Sequence, residues 1–399
     1  MNKRVGAESL FGVGGGTVSE VSRKNLEIAE DLCRKRKPIE ALPYLDKALK
    51  ADDANLDAYI QLAFLAPTLD DSIEVLESAE HKGRGKLKQA FGPNCFDDDS
   101  NEVGNFWSIL ETRPYMRVLQ SLVRLSFENK RFDKCCETIT EMLRLCPGDN
   151  MKQRSWFGSV LLKTGRTKDA LHFSQAWMER DTRHHGTLPS KAGCDWKEPS
   201  QEPLTQETID DMSQWTPAEH LYTAAYASFK LWGDCELARQ YLHLAVKMNP
   251  NTVIKILAKV EQPKSLNMSA RSINGPEEAH DYLWLAQDLW MAEDVWNWAN
   301  SQEATRNLLL RKCSRDGCNN EEKSVAEFKR CAACHEVWYC GPQCQKQHWK
   351  QHKKACQEHQ RRKQMLKMIS QGRPPPKDST RAVIASADFS AEGVTTRFH

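Results

Sequence analysis

Eight residues near the C-terminal end of this 399-residue chain could do chemistry together. They form four short pairs, Cys313-x4-Cys318, Cys331-x2-Cys334, Cys340-x3-Cys344 and His352-x3-Cys356. Thiolate and imidazole donors at these spacings are the ligands of structural zinc, and eight is twice the four that one closed tetrahedral site takes. One ion cannot serve the last four. The sequence from Gly341 reads as helix, with Pro342 at a first-turn position. Cys344 and Cys356 are then about 18 Å apart along the axis, whereas ligands of one zinc lie within about 4 Å of each other. Two metals are expected. Seven of the 14 cysteines sit in this segment, and the other seven are scattered singly or as one vicinal pair, as small core residues are. His335, His348 and His359 are spare imidazoles.

The residues Tyr339-Cys340, Cys344-Gln345, His348-Trp349, His352 and Cys356 complete a pattern that resembles the MYND zinc finger over residues 313–356. The resemblance implies interleaved sites: Cys313, Cys318, Cys340 and Cys344 on one Zn2+, and Cys331, Cys334, His352 and Cys356 on the other. The C-x4-C spacing of the first pair ("CSRDGC") departs from the family's usual two residues. The resemblance also implies peptide recognition, often of proline-rich segments, through the Trp338–Tyr339 strand edge, Gln345 and Trp349. For Trp349, packing beneath the zinc sites is the competing expectation. "RPPPK", residues 373–377, is a proline-rich candidate ligand within the chain itself. A segment this short buries too little apolar surface to fold alone, so the metal is expected to be structural.

The element that must carry this finger is helical. From residue 22, apolar residues recur at three- and four-residue steps. Small or apolar residues fall on a common grid: Ala41 and Ala48; Cys135, Met142 and Pro147; Gly158, Gly165 and Ala170; Ala238, Ala245 and Pro250. This spacing resembles degenerate tetratricopeptide repeats of two helices each. "ETRPYMRVLQSLVRLSFENKRFDKCCETITEMLRLCPGDN" and "LWLAQDLWMAEDVWNWA" resemble tetratricopeptide proteins grouped with a "suppressor of tumorigenicity" family. The expected fold is all-α: a tetratricopeptide-like solenoid over residues 22–300, followed by the finger. Residues 1–21 and 372–399 read as disordered, and residues 179–208 as a long loop. Leu285, Leu289 and Trp296 are expected to form the buried face of one amphipathic helix.

Composition bounds the rest. The formal charge is +2, with no apolar run of membrane-spanning length and no signal-peptide core. A soluble intracellular protein, cytoplasmic or nuclear, is the expectation. "HEVWY" lacks the second histidine of a zinc protease, and neither glycine-rich stretch completes a phosphate loop. No catalytic residue is expected. Residues 313–367 carry a formal +6, which falls to about +3 once seven thiolates and two Zn2+ are counted; nucleic-acid binding is therefore not expected. These features together describe a scaffold or adaptor for proteins or proline-rich peptides. A nuclear transcriptional co-regulator is the alternative, and a degenerate protein-lysine methyltransferase-like enzyme the distant one.

Overall fold

The computed structural model describes residues 7–370 except 268 and 270. The candidate ligand at 373–377 and the expected disordered tail lie outside these residues.

The helices pack on their neighbours, most of them joined by short connections, with longer ones before Arg113, Gln206 and Pro276. α1 (Ala7–Phe11) leads into α2 (Glu20–Arg34), which packs on α3 (Pro38–Ala51). α4 (Leu56–Ala63) packs on α5 (Leu69–Phe91), and α6 (Arg113–Glu128) on α7 (Phe132–Leu145). α8 (Arg154–Lys163) pairs with α9 (Thr167–Met178). After α10 (Arg180–His185) and α11 (Gln206–Trp215), α12 (Ala218–Trp232) packs on both α13 (Glu236–Met248) and α9. α14 (Pro250–Leu257), α15 (Pro276–Trp290), α16 (Glu293–Ser301) and α17 (Glu303–Asn307) close the body.

Local sequence sets these limits. Ser19, Asn55, Thr68 and Thr205 each accept a backbone N–H with the side-chain oxygen at a helix start. Three hairpin turns share one geometry. Arg36, Lys130 and Gly165 all take positive φ, and the next residue's N–H reaches back five positions, to Leu32, Ser126 and Leu161. That is the Schellman closure of a helix C-terminus. In each case the next helix begins two residues after the positive-φ residue, and a small residue (Ala41, Cys135, Ala170) follows three positions later, fully buried. Gly158 of α8 lies where α12 crosses it: a Cβ there would stand 2.8 Å from Thr223 Cγ2.

One continuous apolar core runs from Leu56 to Leu309, with a smaller cluster between α2 and α3 around Leu26, Ala41 and Leu45. Trp284, Trp290 and Trp298 are buried in the main core and Trp296 partly so. Leu285 is buried and Leu289 half-buried on α15, but Trp296 lies on the separate helix α16, so the three do not form the buried face of one helix as expected.

Two expectations are corrected. Residues 7–21 are not structureless. Glu8 is 2% exposed and forms a bidentate ion pair with the buried Arg117 of α6, which also holds Asp57 at 2.6 and 2.7 Å. Positive φ at Gly12, Gly14, Gly15 and Gly16 bends the chain so that the Gly14 N–H also reaches the Glu8 carboxylate. Residues 179–208 are not one long loop either. They contain α10 and a 3-10 turn at Ser190–Gly193, and α11 begins within them at Gln206. Trp177 Nε1 donates to the Ala192 carbonyl, and the Gln240 side chain clasps the Leu204 backbone through both its amide groups.

Candidate metal centre

The finger is built on very little regular structure. β1 (Lys329–Arg330) pairs antiparallel with β2 (Trp338–Tyr339), and α18 (Pro342–Ser370) follows. Apart from the cysteines, the buried apolar side chains of this cluster are Phe328 and Tyr339. Backbone bonds hold the ligand-bearing loops: Cys313 N–H donates to Asn320 O, Ser314 N–H to Trp338 O, and Cys331 N–H to Val337 O.

These constraints gather the eight donors into two quartets. Cys313, Cys318, Cys340 and Cys344 form one, and Cys331, Cys334, His352 and Cys356 the other, each with all donor atoms within 4.8 Å of one another. In the first quartet the Cys318–Cys340, Cys340–Cys344 and Cys344–Cys318 sulfurs stand 3.7, 3.5 and 3.8 Å apart. In the second, Cys331 and Cys356 sulfurs are 3.9 Å apart, and Cys334 Sγ is 3.3 Å from His352 Nε2. A tetrahedron with Zn–S bonds of 2.3 Å has sulfur–sulfur edges of about 3.8 Å. The donor sets therefore fit zinc in chemistry and in spacing.

Electrostatics point the same way. The Asn320 backbone N–H draws the Cys318 thiol down to about 6. Burial opposes ionisation of Cys331, yet the Cys334 and Ala333 N–H groups pull it to about 6 as well. Burial and the adjacent Cys331 and Cys334 push Cys356 up to about 11. Sulfurs this close cannot all ionise unless a cation replaces their protons.

The long first pair is accommodated by a turn. Gly317 takes φ +74°, and the Cys318 N–H closes back on Arg315 O. The extra residues also supply a donor that spacing alone did not reveal: Arg315 Nε lies 3.2 Å from Cys344 Sγ. Asn320 Nδ2 reaches Cys340 Sγ at 3.3 Å, and the Glu336 N–H reaches Cys334 Sγ at 3.4 Å. Such donors orient and stabilise metal-bound thiolates. The spare imidazoles stay outside both quartets. His348 Nδ1 is 3.0 Å from the Tyr339 hydroxyl, and its ring stacks on that of His352.

The four expected peptide contacts differ in exposure. Gln345 is exposed and Trp338 half-buried, with the Arg311 guanidinium over its ring. Trp349 is 41% exposed, so it does not pack beneath the zinc sites. Tyr339 is 2% exposed and holds His348; its side chain belongs to the finger core and is not a surface contact.

The MYND finger family matches residues 306–356. This segment is a MYND zinc finger. Its match begins seven residues before the first ligand. Similar proteins are a histone-lysine N-methyltransferase of Arabidopsis thaliana, 46% identical over 41 residues, and an F-box protein of the same plant, 44% identical over 48 residues. SET domain-containing protein 14 of Caenorhabditis elegans is 46% identical over 39 residues. These alignments cover 10–12% of this chain and 8–14% of each relative, so the chain spans only a small part of their length. The SET-named relatives are matched in the MYND segment alone. No solved structure matches. Among the described residues no helix is long and apolar enough to cross a membrane.

A second concavity lies in the helical body, a groove of about 850 Å³. Ile60, Gln120, Ser155 and Tyr282, from α4, α6, α8 and α15, line it, and the strongly exposed Trp215 and Ile273 stand on its rim. Burial, with Glu278 alongside, pushes the Glu219 carboxyl in this groove up to about 7.

Proposed function

We propose that the chain is a non-catalytic adaptor whose finger holds two structural zinc ions, one in each quartet, and presents a surface for partner peptides, including proline-rich ones. The observation that carries this reading is the closure of both quartets. Each supplies four protein donors, which leaves no coordination position for a reacting water. Zinc here would polarise no substrate; it would fix the β1–β2 ribbon against α18 and so hold Trp338, Gln345 and Trp349 in place. Extended proline-rich segments lose little entropy on docking against such aromatic side chains.

The helical body is read as tetratricopeptide-like. Three hairpin turns of one geometry and fully buried small residues at equivalent positions support that reading. The groove is then a second recognition surface within one chain.

Native mass spectrometry should count two zinc ions per chain. A PxLxP-type peptide, titrated by fluorescence, should bind the zinc-loaded protein, and Trp349→Ala should weaken it about tenfold or more, as truncation of an aromatic anchor does. Equal binding by wild type, Trp349→Ala and chelator-treated protein would place recognition outside the finger.

A further inference from the structure

Five of the eight cations of α18 fall on one side of the helix. At about 100° per residue, Lys346, Lys350, Lys353, Lys354 and Arg361 fall within an arc of about 100°. The ligands Cys344, His352 and Cys356 lie on the opposite side of the helix, where the quartets form. All five cations are exposed, and among the described residues none has an ion-pair partner. Several cations of the body, Arg124, Arg144, Lys163 and Lys230 among them, are by contrast matched by a carboxylate. Besides the five cations the arc carries Gln343, Gln357 and Gln364 and, beyond Arg361, Met368. Glu358 is the one acid on the whole helix and stands at the edge of the arc.

This arrangement removes the reason for discounting polyanions. A sum over residues 313–367 sets thiolates against lysines as though they shared one surface. In space they stand on opposite sides of a helix about 10–12 Å across, a separation comparable to the Debye length of about 10 Å at 0.1 M salt. A ligand on the outer face meets an unneutralised row of cations about 22 Å long, from Lys346 to Arg361.

We propose that this outer face of α18 docks double-stranded DNA through its phosphates, with the glutamines toward the groove. The charge is complementary, and a B-form major groove, about 12 Å wide, admits an α-helix. An A-form RNA duplex has a deep, narrow major groove that does not. Apart from Met368 at its far end, the arc has no apolar anchor of the kind that carries protein interfaces, whose cores are poor in lysine. Nor does it have the apolar face by which a helix settles into a lipid surface.

The test uses the full zinc-loaded chain and a fluorescein-labelled mixed-sequence 20-base-pair DNA duplex, read by anisotropy. Five phosphate contacts give a log–log salt slope near −4.5, or roughly 500-fold weaker binding at 200 mM than at 50 mM salt. Lys346→Gln/Lys350→Gln/Lys354→Gln should reduce the slope by about 2.7. Arg362→Gln/Lys363→Gln, which lies off the arc, should leave it unchanged. Zinc content, measured on every variant, should stay that of wild type because the substituted side chains are exposed. Absence of binding at 50 mM salt overturns the proposal, as does an equal loss in the two variants. Binding to poly-glutamate, to phosphatidylserine vesicles or to an RNA duplex at least as tight as to DNA overturns the choice of DNA.

Discussion

Stripping zinc should unfold the finger and spare the body. The finger's buried apolar side chains other than cysteine are Phe328 and Tyr339, which contribute roughly 3–6 kcal/mol at 1.5–3 kcal/mol each. Structural zinc in small fingers supplies about 10–16 kcal/mol per site. The metal term is therefore several times larger than the hydrophobic one. The body has its own core from Leu56 to Leu309, with no quartet residue in it. Far-UV circular dichroism during titration with a zinc chelator should show loss of helical signal worth at most the 29 residues of α18. The main thermal transition, followed by tryptophan fluorescence, should stay within a few degrees, since Trp284, Trp290 and Trp298 sit in the body core. Cys331→Ser/His352→Ala should reproduce the loss without chelator. If the chelated protein keeps the full helical signal, or if its body unfolds at the same chelator concentration, the reasoning that separates a metal-built finger from a hydrophobically built body is wrong.

Two further outcomes test the body. Glu219 has a carboxyl pKa raised from 4.5 to about 7 by burial and by Glu278, so its ionised form is disfavoured in the folded chain. The associated stability is present below about pH 4.5 and is lost as pH rises through 7. Glu219→Gln should therefore raise the melting temperature at pH 8.5, by roughly 1 kcal/mol of stability after allowance for water in the groove, and leave it unchanged at pH 4.5; a gain equal at both pH values would exclude the charge as its cause. Gly158→Ala should destabilise by about 1–3 kcal/mol in urea melts through the clash with Thr223, and Thr223→Ala in the same chain should recover most of that loss; additive penalties would show that the two helices do not meet there.

The eight metal ligands were legible because their information is local, whereas their grouping into two interleaved quartets came from the MYND resemblance. Pairs such as Cys331-x2-Cys334 need only a tight turn to converge, and the Cys344–Cys356 separation along a helix already excludes a single ion. Periodicity likewise exposed the helices, since burial of Ala41, Cys135 and Ala170 follows from repeated short-range spacing. What stayed hidden depends on distant partners. The bond between Glu8 and Arg117 joins residues 109 apart, and a glycine-rich stretch gives no sign that a carboxylate within it will be buried. Residues 190–196 looked aperiodic because their order rests on positive φ at Lys191, Ala192 and Trp196 and on the Trp177 indole, not on a repeat. A sum of charges along the sequence likewise cannot say which side of α18 a lysine faces. Trp349 and Tyr339 exchanged their expected environments because the β1–β2 pairing turns Tyr339 inward, and no spacing records that.

The alternation of the two quartets along the chain has a consequence for a broken molecule. A cut near Glu336 leaves Cys313, Cys318, Cys331 and Cys334 on one fragment and Cys340, Cys344, His352 and Cys356 on the other. Each fragment then owns half of both quartets. With an ion in each quartet, the severed pieces would remain riveted at two points and would separate only when both ions leave. Two sites arranged one after the other would instead fall apart at the cut. The finger is thus a clasp that survives a nick, and its two halves, supplied as separate chains, should find each other through zinc.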